Sequence, residues 1–149
     1  MNNIEILKEI INFNDYTGKI YRKAAMSVNE DIVQNELNQI AEQRERFTGN
    51  LQELLKNYED SPAIPLKDVT LFENLELILN DLLVRKNVPD VLNSCVKADE
   101  ALLNKHREIV QHEKMDDDVL KMLNHQFNDI LETQHSFRKR LDRYPWFQS

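Results

Sequence analysis

The fold is decided by residues 3–28, which read NIEILKEIINFNDYTGKIYRKAAMSV. Apolar side chains recur there every three or four residues, the spacing that places them on one face of an α-helix. Asn2 and Glu5 can form a capping box at its start, because each side chain can accept a hydrogen bond from the other residue's backbone N–H. We therefore predict a long first helix with one buried face. The positions on that face are Ile4, Leu7, Ile10, Ile11, Asn14, Gly18, Tyr21, Ala25 and Val28.

The same apolar spacing recurs in four later segments, three long and one short. They predict helices over about residues 30–58, 71–85, 88–111 and 117–142. We expect Asn29 to cap the second helix and Asn87 to cap the fourth. Thr70 and Glu73 have the spacing of a second capping box, at the start of the short helix. The joint between the first two helices is so short that it predicts an antiparallel hairpin.

Composition and helix count together predict a single all-α domain over residues 1–149. The chain has only two glycines and four prolines, and a shortage of these residues is typical of helical proteins with few turns. Four long helices and one short helix predict a four-helix bundle, in which the short helix crosses over between helices 2 and 4. This crossover would make helices 2 and 4 run in the same direction.

Net charge and hydropathy argue against two kinds of partner, nucleic acid and membranes. The formal net charge of −7 argues against nucleic acid, which selects basic protein surfaces. No apolar run approaches the 18 residues or so that a membrane-spanning helix needs, and no secretory signal precedes the first helix. These features predict a cytoplasmic protein that does not enter a membrane. Cys95 lies on a helical apolar face, which predicts a small buried hydrophobic residue.

Residues 14–25, NDYTGKIYRKAA, carry a family resemblance. They resemble the first-helix signature of a bacterial ferritin-like family of unknown function, in which an Asn-Asp pair precedes Gly, Tyr, Arg and a double Ala. The second helix is similar to that family in Gln43-Arg44-x-x-Phe47, and the later helices agree more loosely. The resemblance implies a ferritin-like four-helix bundle over the whole chain. It implies no particular activity.

Candidate metal ligands follow from the ferritin-like pattern of two Glu residues and two Glu-x-x-His pairs. Glu132 and His135 have the Glu-x-x-His spacing, but on a helix Glu132 falls off the apolar face and His135 lies at its edge. Only Asp99 and His106 fall clearly on an apolar face. If a metal bound, the cofactor would be an iron or manganese pair; otherwise we expect none. The candidate ligands are Glu45, Asp99, His106, Glu132 and His135, with Asp15 as a marginal sixth.

A buried polar core is the competing interpretation of the same helices. Its expected members are Asn14, Arg44, Asp99 and Gln134. Arg44 in an apolar core needs a carboxylate partner, for which we predict Asp99, with Glu45 or Asp15 as alternatives at the rim. Asn14 and Arg44 are equally far from the turn at Asn29, so we expect them at the same level of the bundle. Arg44→Met should then leave a folded bundle that is equally or more stable, and a large loss of stability would instead mean that the change strands an acidic partner.

The functional hypothesis follows from the lack of catalytic and phosphate-binding motifs. The chain has no Gly-rich phosphate loop, Cys-x-x-Cys pair or serine elbow. We expect a non-catalytic interaction or stress-related protein with a degenerate metal site. A di-metal carboxylate protein, binding metal or acting as an oxidoreductase, is the alternative, and a small-molecule carrier with a cavity beside Gly18 is a third possibility. A homodimer or a protein partner could form through helix 3 or the aromatic tail, Tyr144-Pro145-Trp146-Phe147.

Overall fold

The computed structural model of the chain describes residues 1–58, 68–82 and 87–142. Every regular element in these ranges is a helix, which confirms the all-α prediction. The four long helices have the same length, 25 residues each, and α3 is shorter. The elements are α1 (Asn3–Ser27), α2 (Asp31–Leu55), α3 (Val69–Leu82), α4 (Val88–His112) and α5 (Asp117–Leu141).

Two of the predicted helix starts are confirmed by their hydrogen bonds. The Asn2 side chain accepts from the Glu5 N–H at 2.8 Å, and the Glu5 carboxylate accepts from the Asn2 N–H at 3.2 Å, so the capping box is complete. At α4 the Asn87 side chain accepts from the Asp90 N–H at 3.4 Å. Each bond satisfies a backbone donor that the first helical turn leaves free.

Two other predicted caps differ from the observed ones by one or two residues. The residue before α2 is Glu30 rather than Asn29, and its side chain makes no capping bond. Before α3, the Asp68 carboxylate accepts from the Leu71 N–H at 2.9 Å. Because Asp68 already caps this helix, Thr70 lies inside the first turn and does not serve as the cap.

The long helices lie in the cyclic order α1, α2, α5, α4, and α3 packs outside against α1 and α4. Two hydrogen bonds connect the helices at one end of the bundle. The Asn3 side chain accepts from the Asp116 N–H at 2.9 Å, and the Tyr58 hydroxyl donates to Asp118 at 2.6 Å. These bonds bring together the start of α1, the end of α2 and the start of α5.

The crossover helix returns the chain to the opposite end. There Ser27, the last residue of α1, donates from its hydroxyl to the Leu82 carbonyl at the end of α3, at 3.3 Å. At the first end, Lys105 of α4 contacts Glu9 of α1 at 3.2 Å and Asp68 at 3.1 Å. Helices α2 and α4 therefore run in the same direction, as the crossover requires.

The apolar core is divided into two clusters along the bundle. The smaller cluster, near the start of α1, includes Ile6, Leu51 and Leu123. The larger one occupies the rest of the bundle and contains the inner face of α3. Between the clusters lie three buried polar residues from three helices, which we call the central polar layer: Asn14, His106 and Gln126.

Some predictions concern surfaces and segments beyond the core. Each helix in the described ranges is too short or too polar to cross a membrane. The aromatic tail, residues 144–147, and the segment after α2, residues 59–67, lie outside the described residues. On α3, Val69 and Leu77 point outward and are exposed by 57% and 66%.

Candidate functional site

A buried ion pair between Arg44 and Asp99 occupies the interior of the bundle. Their side chains are 0% and 1% exposed. Arg44 Nη1 lies 2.5 Å from Asp99 Oδ1, and Nη2 lies 3.4 Å from Oδ2, so the guanidinium faces the carboxylate with both of its terminal nitrogens. The pair connects α2 to α4, which are diagonal partners in the ring. It therefore fixes the register of two helices that otherwise touch little.

Tyr21 of α1 completes this network. Its hydroxyl donates to Asp99 Oδ2 at 2.5 Å, and Arg44 Cζ lies 5.3 Å from the centre of its ring. The carboxylate thus has two donors, and the guanidinium gains a cation–π contact. The third guanidinium nitrogen, Arg44 Nε, has no hydrogen-bond acceptor within the described ranges.

The charges of this network are those of a stable ion pair. Burial, the largest single cause, would lower the pKa of Arg44, but the attraction and hydrogen bonding of Asp99, with smaller contributions from Tyr21, together outweigh it, so the pKa is raised above its usual value. Burial and then the negative charge of Asp99 raise the pKa of the Tyr21 phenol well above its usual range. The same two causes raise the pKa of the Cys95 thiol, which is therefore no thiolate nucleophile at neutral pH.

Gly18 allows α1 and α2 to approach closely beside this pair. A methyl group added at Gly18 would lie 3.4 Å from Arg44 Cβ and 3.8 Å from the Ala41 carbonyl oxygen. The space facing Gly18 is therefore filled by α2, where a carrier cavity was expected. Arg44 is level with Gly18 rather than with Asn14, so the hairpin is centred about two residues later than the turn at Asn29 suggests.

The predicted metal ligands do not converge. Glu132 and His135 are exposed on α5, Glu45 is exposed on α2 and Asp15 on α1. Glu45 binds the guanidinium of Arg22 at 2.7 Å, and this contact lowers the pKa of its carboxyl group. Of the candidates, only Asp99 and His106 face the interior. Within the described ranges, no three His, Cys, Asp or Glu side chains are grouped so that they could hold a metal ion.

These positions do not fit an iron or manganese pair. A di-metal centre needs several carboxylates converging on about four positive charges. Here the one buried carboxylate at this level is held by a guanidinium, whose positive charge would repel a cation. Glu132 instead lines a surface groove of about 420 Å³ between α2 and α5, together with Glu36, Gln43, Arg46 and Asp129.

The central polar layer is only partly satisfied by the protein. Asn14 donates to the Ile10 carbonyl and Gln126 donates to the Phe47 carbonyl, each at 3.2 Å. The acceptor oxygens of both amides have no hydrogen-bond partner among the described residues, and neither ring nitrogen of His106 makes a hydrogen bond of normal geometry there. Gln134 was also predicted to belong to the buried polar core. It is only half-buried and lies on α5, well away from the central polar layer.

His106 is held neutral by its surroundings. Burial, followed by the positive charge of Arg44, lowers its pKa from the usual 6.5 to about 4, and a weak hydrogen bond with the backbone of Leu123 opposes this change. Asp99 lies about two helical turns away on α4 and does not compensate.

The lowered pKa of His106 predicts a loss of stability in acid. Between pH 6.5 and pH 4 the unfolded chain binds a proton that the folded chain does not, so the free energy of unfolding should fall as the pH falls. The full effect is about 3 kcal/mol. Urea titrations across this range should show a flatter profile for His106→Phe than for the natural chain.

His112 provides the matched control, because it is exposed on the same helix. His112→Phe should keep the pH dependence of the natural chain. Parallel profiles for the natural chain and His106→Phe would show that this imidazole is not held neutral by the fold.

Several buried polar residues escaped the sequence analysis, among them Tyr21, Gln126 and Lys105. Tyr21 was counted only as part of an apolar face, although a phenol can serve as a donor to a buried acid. Gln126 has the right spacing, since it follows Leu123 by three residues and precedes Ile130 by four. Lys105 also follows Leu102 by three residues, and it is buried with Glu9 and Asp68 as partners. Helical spacing could have identified the last two.

A comparison with protein families, curated proteins and solved structures found no match for this chain. Its chemistry therefore has to be inferred from its own residues. The interior supplies an ion pair, a protonated thiol and a histidine that is a weak base. These groups can fix helix register and bind small polar groups, and they are poorly suited to proton transfer or nucleophilic attack at neutral pH.

Proposed function

We propose that the protein is a ferritin-like four-helix bundle with a degenerate metal site, acting as a non-catalytic interaction or stress-related protein. The observation that carries the proposal is the buried Arg44–Asp99 pair, because it places a permanent cation where a metal-binding bundle needs converging acids. The cyclic order of the long helices, with α3 crossing outside, supports the ferritin-like part of the proposal.

The direction of the remaining acids supports the same conclusion. A di-metal protein would need Glu132 and His135 to turn inward, yet both are exposed on α5. Turning α5 far enough to bring them inward would expose Leu123, Ile130 and Phe137, which are buried. Burying one such side chain is worth about 1.5–3 kcal/mol, so the apolar face strongly favours the present orientation.

We place a protein partner or a second copy of the chain on α3. This helix lies outside the ring of four long helices and exposes Val69 and Leu77. Exposed apolar side chains on an added helix are typical of a surface that can be covered by another protein.

Metal analysis tests the proposal directly. The full chain, purified without chelators, should contain far less than one iron or manganese ion per molecule. Anaerobic addition of Fe²⁺ followed by oxygen should give no saturable absorbance change. The reason is that Arg44 repels cations from the interior, while Glu132 and His135 point away from it.

Two matched variants decide the alternative. Glu132→Gln removes a predicted ligand, and Glu42→Gln changes an exposed carboxylate that is not among the candidates. Stoichiometric metal that is lost in Glu132→Gln and kept in Glu42→Gln would contradict the proposal and establish a di-metal carboxylate protein.

A further inference from the structure

The open groove between α2 and α5, which Glu132 lines, has a volume of about 420 Å³. Its floor contains Ile40, which is 3% exposed. A hydrogen bond crosses the groove, in which Gln43 Nε2 donates to the Thr133 hydroxyl oxygen at 2.6 Å. The apolar faces of both helices turn to the core, so the walls of the groove are polar.

The two walls carry opposite charges at the same level of the bundle. Helices α2 and α5 run in opposite directions, and the Gln43–Thr133 bond shows which of their residues lie side by side. With a rise of about 1.5 Å per residue, Arg46 lies about 4.5 Å below that bond, between Glu132 at about 1.5 Å and Asp129 at about 6 Å. A guanidinium on α2 therefore faces two carboxylates on α5 across the groove.

These facing charges do not pair with one another. In the part of the chain that the structure describes, Arg46 and Glu132 make no ion pair, and the Asp129 carboxylate contacts His125 of its own helix at 3.2 Å. Arg46 and Glu132 are exposed and Asp129 is half-buried, so a molecule from solution can reach all three. The groove thus has room for a ligand that carries both charges.

We propose that this groove binds a free α-amino acid with a polar side chain, its carboxylate on Arg46 and its ammonium group on Glu132 and Asp129. The proposal goes beyond the proposed function, which requires no ligand. It depends on the groove, on the unpaired charges of its walls and on the level that these charges share.

Each charge of an amino acid matches one wall. A guanidinium binds a carboxylate through two parallel hydrogen bonds, and an ammonium group has three donors for the carboxylates of Glu132 and Asp129. A simple amine would bind these acids but would meet the positive charge of Arg46. A simple carboxylate would bind Arg46 but would meet two negative charges. A zwitterion is attracted by both walls.

The rest of the groove selects a polar side chain. A cavity of about 150 Å³ can hold a benzene molecule, so this groove has space for a side chain as well as the charged groups. Its lining on the other side of the Gln43–Thr133 bond is Glu36, Gln39 and Ser136. An amide such as that of glutamine can bond with the exposed Gln39 and Ser136, whereas an apolar side chain finds little apolar surface beyond Ile40.

The test is a titration of the ¹⁵N-labelled full chain at pH 7, followed by amide chemical shifts. EDTA is present, which excludes binding through a metal ion. The first probes are alanine, ethylamine and propionate, because ethylamine lacks the carboxylate of alanine and propionate lacks its ammonium group. Alanine should give saturable shifts confined to the groove and should bind about tenfold more tightly than either, the effect of one charge-assisted contact. Glutamine should bind more tightly than leucine.

Variants at exposed positions separate the two walls without disturbing the core. Arg46→Gln should lower the affinity for alanine to that for ethylamine. Glu132→Gln should lower it severalfold, since Asp129 remains. The matched controls are Arg107→Gln on α4 and Glu42→Gln on α2, which make the same changes at exposed positions that do not line the groove. Both controls should leave the affinity unchanged.

Several results would overturn the proposal. Ethylamine that binds as tightly as alanine would show a site for amines, and propionate that does so would show a site for carboxylates. Leucine that binds as tightly as glutamine, or the absence of saturable shifts, would contradict it equally. None of these results alters the metal content of the chain, so this proposal and the proposed function can fail independently.

Discussion

Asp99→Asn is expected to lower the free energy of unfolding by about 3–5 kcal/mol, the usual loss when one partner of a buried ion pair is removed. The amide has nearly the same shape as the carboxylate and can still accept from the Tyr21 hydroxyl. Packing and that hydrogen bond are thus largely preserved. What changes is that Arg44, which is fully buried, keeps its positive charge without a negative partner.

Urea unfolding at pH 7 measures this loss, and Glu100 offers the matched control. Glu100 is the next residue on α4, and its side chain is 60% exposed. Glu100→Gln makes the same acid-to-amide change outside the core and should alter stability by no more than about 0.5 kcal/mol. Similar small effects for both variants would mean that the Arg44 charge is compensated by something other than Asp99.

Arg44→Met is expected to cause a loss of similar size at pH 7, about 3–5 kcal/mol. The structure here changes the expectation from sequence, in which Arg44→Met was harmless unless it stranded an acid. Asp99 is 1% exposed, and Tyr21 would remain its one donor among the described residues. A buried carboxylate without a cation is relieved by protonation, so the difference from the natural chain should shrink as the pH is lowered.

The double variant Arg44→Met, Asp99→Asn should recover most of that loss. With both charges removed, the core contains a thioether and an amide that can still bond Tyr21, and buried ion pairs can often be replaced by neutral residues at little net cost. We expect stability within about 2 kcal/mol of the natural chain. Arg46→Met, at an exposed position on α2, controls for the new methionine. A double variant as unstable as either single variant would indicate that the charges themselves support the fold.

The helices could be predicted from the sequence because the features that determine them lie close together in the chain. Apolar spacing and the Asn2 and Asn87 caps depend on residues within one or two turns, and each is present in the structure. The start of α3 was missed because two acceptors, Asp68 and Thr70, compete within three residues. In the structure the Asp68 carboxylate accepts from the Leu71 N–H, so Asp68 is the cap.

The candidate site was less predictable because it depends on contacts across helices. Helical direction alone places Arg44 and Asp99 on inner faces, but it does not say which acid the guanidinium reaches. The role of Tyr21 as a donor depends on the packing of α1 against α2 and α4, which helical spacing does not predict. The one-turn shift that puts Gly18, rather than Asn14, beside Arg44 arises from the geometry of the hairpin and changes which residues meet.

Glu132 and His135 illustrate how spacing differs from direction. Their Glu-x-x-His interval matches metal-binding bundles, yet the apolar residues of α5 set its rotation. Leu123, Gln126 and Ile130 are buried, which turns Glu132 and His135 to the surface. A motif on a helix therefore indicates a metal site only when its residues share the buried face.

Energetic coupling between Arg44 and Asp99 tests the central claim most directly. It is obtained from the unfolding free energies of the natural chain, Arg44→Met, Asp99→Asn and the double variant at pH 7. A guanidinium and carboxylate that depend on each other in the core should show a coupling of at least about 3 kcal/mol. Losses that simply add, with a coupling below about 0.5 kcal/mol, would mean that the two groups are independent and that some other contact holds the centre of the bundle.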